Sequence, residues 1–143
     1  MTTPLPRLVV GAVIVDDLGA PSRVLGCRRT GPEALAGLWE FPGGKVEDGE
    51  TPELALAREL REELALEVTV GDELPGPSGR WPIDERYELA LFLAAITGGT
   101  PAAGPDHDEV RWLGPTDLGS VPWLPSDLQA IGPIRALLAA PGT

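Results

Sequence analysis

The sequence holds one cysteine (Cys27), one histidine (His107) and one lysine (Lys45) among its 143 residues. A lone cysteine excludes an internal disulfide, and a reducing cytoplasm is the expected compartment. No apolar run approaches the ~18–20 residues a helix needs to span a bilayer, so no membrane partner is expected. Residues 1–7 lack the basic and apolar regions of a signal peptide. Basic charge is scarce: ten Arg and Lys45 face 22 Asp and Glu, a formal net charge of -11. Duplex nucleic-acid binders are normally basic, because phosphate neutralisation supplies much of their affinity, so that partner is excluded. An acidic protein that handles phosphates must bring cations to the site.

What is present is a chain of ordinary hydrophobic content, 43%, enough for a real core. The length suits one domain over residues 1–143. A monomer is the expected state, with a dimer open. Residues 7–15 form a continuous apolar run, as in a buried central strand. Residues 16–22 are turn-like. Residues 23–28 read as a strand that could pair with the first, and residues 30–37 as a loop. A short strand over 38–41 ends in Pro42-Gly43-Gly44.

The clearest helix follows. Thr51 can cap it and Pro52 takes the favoured first position. Leu56, Leu60 and Leu64 recur every four residues as the buried stripe. Strands are expected over 66–70, 86–96 and 110–113. The Gly- and Pro-rich residues 71–83 read as a mobile loop, and residues 98–105 as another. Ser126-Asp127-Leu128-Gln129 has the form of a capping box, predicting a final helix to about Ala140. Gly132-Pro133 should kink or restart it. Strands and helices mix without βαβ alternation, which predicts an α/β fold: a mixed central sheet with helices on both faces, an α/β/α sandwich.

Residues 58–63 read Arg58-Glu59-Leu60-Arg61-Glu62-Glu63. On a helix, Glu59, Glu62 and Glu63 fall within roughly 100° of arc, beside the leucine stripe. That acidic face should border a cleft. Like charges at this spacing cost a helix about 0.2–0.5 kcal/mol per pair, a cost that divalent cations would reverse. Hard ions such as Mg²⁺ prefer carboxylate oxygen and commonly bridge to phosphates. The competing reading is a solvated helix face laced by pairs such as Arg58–Glu62. The preceding loop tilts the balance: Gly43-Gly44 lets the backbone approach a ligand, and Lys45 adds a cation beside it.

The combination resembles the Nudix hydrolases. Their signature is met by Gly44, Glu50, Arg58, Glu59, Leu60, Glu62, Glu63 and Leu66, a box over residues 44–66. Ala65 departs from it, standing where the family usually has a glycine that eases the helix-to-strand turn. Residues 36–45 (AGLWEFPGGK), with Arg28-Arg29 upstream and Trp123-Leu124-Pro125-Ser126-Asp127 downstream, resemble the MutT branch and bacterial CTP pyrophosphohydrolases.

The resemblance implies roles. Glu59, Glu62 and Glu63 would hold Mg²⁺ or Mn²⁺, helped by the Gly43 carbonyl. Asp106 would be a further ligand, with Glu109 its rival. Glu59 matches a general-base position, oriented by Arg58, and Glu50 would support the loop or the outer coordination shell. Lys45 and Arg29 would meet phosphate oxygens. Glu40, Phe41 and Pro42 would belong to the substrate site, Asp127 would read the base edge, and Arg86 is a further pocket candidate. An ionised Asp127 only accepts hydrogen bonds, which would favour bases with an amino group.

The implied activity is metal-dependent cleavage of a (deoxy)nucleoside triphosphate to monophosphate and pyrophosphate, with 8-oxo-dGTP or a (d)CTP-type nucleotide as substrate. Hydrolysis of a nucleotide sugar such as ADP-ribose, and a non-catalytic ligand-sensing module, are the alternatives. Elsewhere, His107 reads as an exposed loop residue and Cys27 as a small core residue. Trp39, Trp112 and Trp123 read as core or pocket wall, and Trp81 as a lid contact in a flexible loop.

Overall fold

The apolar strand β1 (Arg7–Ile14) is buried on both faces because the fold covers both. The computed structural model describes residues 5–139. Along β1, Val10, Ala12 and Ile14 point into one hydrophobic cluster, while Val13 joins a second on the other side. Strand β7 (Tyr87–Gly98) runs parallel to β1, with Val10 opposite Ala90 and Ala12 opposite Phe92. Ala90, Phe92 and Ala94 share the first cluster; Leu89 and Leu91 share the second. Continuous apolar runs in this parallel pair follow from double-sided burial.

The larger sheet has the order β4-β1-β7-β5, with β4 Gly43–Lys45 and β5 Glu67–Leu74; β6 (Trp81–Pro82) also pairs with β7. The β1–β7 pair is parallel and its neighbours antiparallel, so the sheet is mixed as expected. A second sheet, β3-β2-β8, is built from Trp39–Glu40, Val24–Arg29 and His107–Leu113. Here the structure corrects the expected partner of β2. Only an isolated bridge, Val15 to Val24, joins it to β1. The Asp16 carboxylate accepts hydrogen bonds from the Ser22 N–H (2.8 Å) and the Arg23 N–H (3.2 Å), turning the chain toward the other sheet.

Helix α1 (Pro52–Leu64) begins as its sequence predicts: Thr51 Oγ1 accepts from Leu54 N–H at 3.2 Å and Pro52 leads. Ala55, Leu56, Leu60 and Leu64 bury into the first cluster, each leucine contributing about 2 kcal/mol. The helix stops at Ala65, whose φ of 53° is left-handed. On the opposite side α3 (Ile131–Ala139) buries Ile131, Ile134 and Leu138 in the second cluster. Helices thus lie on both sides of the larger sheet.

Two further expectations are corrected. Residues 71–83 are not simply a loop: β5 reaches Leu74, and Trp81 on β6 is buried, its Nε1–H donating to the Leu74 carbonyl at 3.0 Å. Burial of the indole outweighs the local Gly and Pro signals, so Trp81 is core, not lid. The C-terminal region restarts as Gly132-Pro133 predicts, but in two pieces. A short α2 (Pro125–Leu128) starts after Leu124 with no side-chain cap, so Ser126 is no N-cap. Ala140 lies outside the described residues. No helix among the described residues is long and apolar enough to cross a membrane.

Candidate active site

The site grows from the contact between β4 and α1. A side chain on Gly43 would collide with the Val10 carbonyl, and one on Gly44 with the Glu59 carboxylate. The two glycines therefore let the strand lie directly on the acidic helix face. Arg58 ties the loop to that face. Its Nε and Nη2 grip Glu50 at 2.7 and 2.9 Å, its Nη1 reaches Glu59 at 3.0 Å and Glu62 at 3.2 Å, and Nη2 also donates to the Lys45 carbonyl at 3.2 Å. Arg58, with the Glu47 N–H, draws the Glu50 carboxyl down to about 2. Glu50 in the loop and Glu59 on the helix are thus joined through one guanidinium.

The carboxylates differ in environment. Burial pushes Glu59 above its usual range, partly opposed by Arg58. Burial and the negative charges of Glu40, Glu59 and Asp106 push Glu63 up to about 8, against one hydrogen bond from the Gly43 N–H. The Glu63 Oε2 atom is buried without a hydrogen-bond partner. Glu62 is the exposed member of the set, with 60% side-chain exposure. Asp106 is brought toward Glu63, whereas Glu109 is engaged by Arg111 at 2.5 Å and Arg28 at 3.4 Å. Asp106 lines the polar cavity with Glu63, and Glu109 does not.

Among the described residues, no three such side chains converge tightly enough to hold an ion in this arrangement; Glu59 and Glu62 are both engaged by Arg58. The donor set nevertheless fits a hard divalent cation. It is built from carboxylate oxygens, it is mutually repulsive, and it includes a buried oxygen with nothing to bond.

Two cavities of about 260 Å³ each adjoin this face. The polar one is lined by Glu63, Asp106, Arg29, Glu40, His107 and the Thr30-Gly31 turn. The more apolar one holds Phe41, Leu89, Leu124, Ile83, Lys45, Ser126 and Asp127 among its walls. Arg29 and Glu40 line both. Arg29 is not a free cation: Nη1 pairs with Glu40 Oε1 at 2.7 Å and Nε donates to the Gly31 carbonyl at 3.0 Å. The Lys45 ammonium sits 5.2 Å from the Tyr87 ring centroid. Phe41 packs on Trp123 with centroids 4.8 Å apart. The Pro42 carbonyl accepts from Ala12 N–H at 2.8 Å, a structural contact. Arg86 is exposed in the turn before β7 and lines neither cavity.

Asp127 reaches the second cavity, but with a different chemistry from that expected of a free carboxylate. It is 4% exposed, and burial, with Glu40 nearby, pushes its carboxyl well above the usual range despite a hydrogen bond from the Phe41 N–H. The protonated form donates as well as accepts. A preference for amino-bearing bases therefore does not follow from the side chain alone.

His107 is the residue sequence reasoning missed. It is 2% exposed, on β8, with Nε2 at 2.8 Å from Glu40 Oε2. The signal was available in strand periodicity: carried upstream, it places His107 on the face of Leu113, six residues on. Ile83, Leu89, Leu124 and Ser126 also line the second cavity without a motif to mark them.

The profile of the NUDIX domain matches residues 5–133. The chain belongs to the Nudix family. It is 40% identical over 126 residues to a putative 8-oxo-dGTP diphosphatase 2 of Mycobacterium tuberculosis, covering 86% of this chain and 84% of that protein. It is 36% identical over 133 residues to the CTP pyrophosphohydrolase of Escherichia coli, covering 92% and 93%. The solution structure of the E. coli ORF135 protein superposes with a TM-score of 0.71 at 34% identity, covering 95% of this chain and 96% of that one. The chain is thus a hydrolase of the Nudix family, and its MutT-like character rests on these relatives as well as on the box.

Proposed function

We propose that this Nudix hydrolase is a metal-dependent (deoxy)nucleoside triphosphate diphosphatase, releasing a nucleoside monophosphate and pyrophosphate. The observation that carries the reading is the half-buried carboxylate face of α1: Glu63 lines the polar cavity, and Glu59 lies against Gly44, a wall of the base-sized, more apolar cavity that also holds Asp127. Relatives that act on 8-oxo-dGTP and CTP support a purine or cytosine nucleotide as substrate.

Glu59, Glu62, Glu63, Asp106 and the Gly43 carbonyl would hold Mg²⁺ or Mn²⁺. A bound cation supplies charge neutralisation on the phosphates and lowers the pKa of water. Glu59, held by Arg58 and raised by burial, takes the proton of the attacking water. Lys45 stabilises the charge that develops on the phosphate oxygens, and Arg29 binds phosphate oxygens of the substrate. The second cavity takes the base: Phe41 and Leu124 give apolar walls and Asp127 hydrogen-bonds its edge.

A pyrophosphate-release screen over canonical and modified nucleotides, with Mg²⁺ and Mn²⁺, tests this. Metal-dependent release from 8-oxo-dGTP or a cytidine nucleotide, ahead of dTTP and ADP-ribose, is expected. Turnover of ADP-ribose alone, or of nothing, would overturn it.

A further inference from the structure

Three strands of the smaller sheet each bring one polar side chain to the same point. Arg29 stands at the end of β2, Glu40 at the end of β3 and His107 at the start of β8. The register places Cys27 opposite Glu40, and Arg29 opposite His107 just past a bulge. The two Glu40 oxygens are divided between the others: Oε1 accepts from Arg29 Nη1 at 2.7 Å, and Oε2 lies 2.8 Å from His107 Nε2. A carboxylate can only accept, so His107 bears its proton on Nε2. The other ring nitrogen, Nδ1, is buried without a partner, which suits a bare lone pair better than a second N–H. His107 is 2% exposed, while Arg29 and Glu40 face both cavities. The imidazole thus backs the wall that divides the polar cavity from the base-sized one.

We propose that His107 is a positioning residue: its Nε2–H fixes the Glu40 carboxylate, and Glu40 in turn holds the Arg29 guanidinium at the partition between the two cavities, where it meets the substrate. This rests on the reading above that a nucleotide spans both cavities. Without the imidazole donor, Glu40 can rotate, and Arg29 loses the anchor that offsets its side-chain entropy. The effect belongs to substrate binding, since the relay ends at Arg29, which binds phosphate oxygens of the substrate.

The test uses the full-length protein and two substitutions. In His107→Gln the side-chain amide can place a donor near the former Nε2; in His107→Phe the ring volume remains and the donor is gone. Expected are a KM for 8-oxo-dGTP or dCTP raised at least about tenfold in the Phe variant, with kcat within about threefold, and recovery to within about threefold of wild type in the Gln variant. An unchanged KM in the Phe variant, or a Gln variant no better than Phe while both melt like wild type, would overturn the proposal. Because the chain has one histidine, ¹⁵N-detected NMR of its imidazole reads the contact without turnover. An Nε2–H tautomer whose signal shifts in Glu40→Gln supports the relay. An Nδ1–H tautomer, or a signal that Glu40→Gln leaves in place, refutes it even if no nucleotide is hydrolysed and the functional reading falls.

Discussion

Arg58 shows how one side chain converts a run of charges into a site. Its guanidinium joins Glu50 in the loop to Glu59 and Glu62 on the helix, so the carboxylate read as general base is held by a bidentate anchor behind it. Glu59→Gln keeps the shape and removes the basicity. It should lower kcat by about a hundredfold or more while KM moves by less than about threefold; steady-state kinetics that confine the change to KM would make Glu59 a binding residue only. Asp127 makes a separate prediction. Asp127→Ala should lower kcat/KM for the preferred nucleotide roughly ten- to a hundredfold and leave dTTP nearly unchanged. Asp127→Asn, which still donates and accepts, should retain most of the selectivity. Equal substrate ratios in wild type and the Ala variant would remove Asp127 from the base pocket.

At the scale of elements, helix α1 was legible because caps, stripe and acidic face are all local, within 3.6-residue periodicity. The corner after it was legible only through the family resemblance. Ala65 occupies left-handed backbone, which costs an L-residue about 1–2 kcal/mol, and its carbonyl is closely approached by Gly99. Ala65→Gly should therefore raise unfolding free energy by about 0.5–1 kcal/mol, part of the gain being lost to the freer unfolded chain. Urea denaturation reads this directly, and a loss of stability would refute the strain. The β1–β2 corner offers a pH test. Slight burial would raise the Asp16 carboxyl, but the Ser22 hydroxyl and the Ser22 and Arg23 N–H groups outweigh it and hold it near about 2, against 3.8 unperturbed. A depressed folded pKa stabilises above the unfolded value and is lost as pH falls through the folded one. Asp16→Asn should thus be less stable than wild type near neutrality, by about 1 kcal/mol. The gap should close between pH 3.8 and about 2; a gap that persists at pH 2 would point to shape rather than charge.

For the whole molecule, both the mixed sheet with a helix on each side and the Glu-rich face of α1 could be read from the sequence, because their signals are periodic or tightly spaced. What escaped reading depends on long-range pairing. The swing of β2 into a second sheet, the burial of Trp81 and the His107–Glu40 contact across 67 residues of chain all belong to this class. The burial that raises the Asp127 carboxyl well above its usual range also arises only when α2 closes on Phe41. The central claim is that the chain, at a net charge of -11, cleaves a phosphoanhydride bond through cations gathered on one helix face. Pyrophosphate release from the best nucleotide, measured against free Mg²⁺ in wild type, Glu62→Gln and Glu63→Gln, tests it most directly. Turnover should saturate with Mg²⁺, vanish in EDTA and fall about a hundredfold or more in either variant, with melting temperatures unchanged or higher. Undiminished release in EDTA, or wild-type rates in either variant at limiting Mg²⁺, would contradict it.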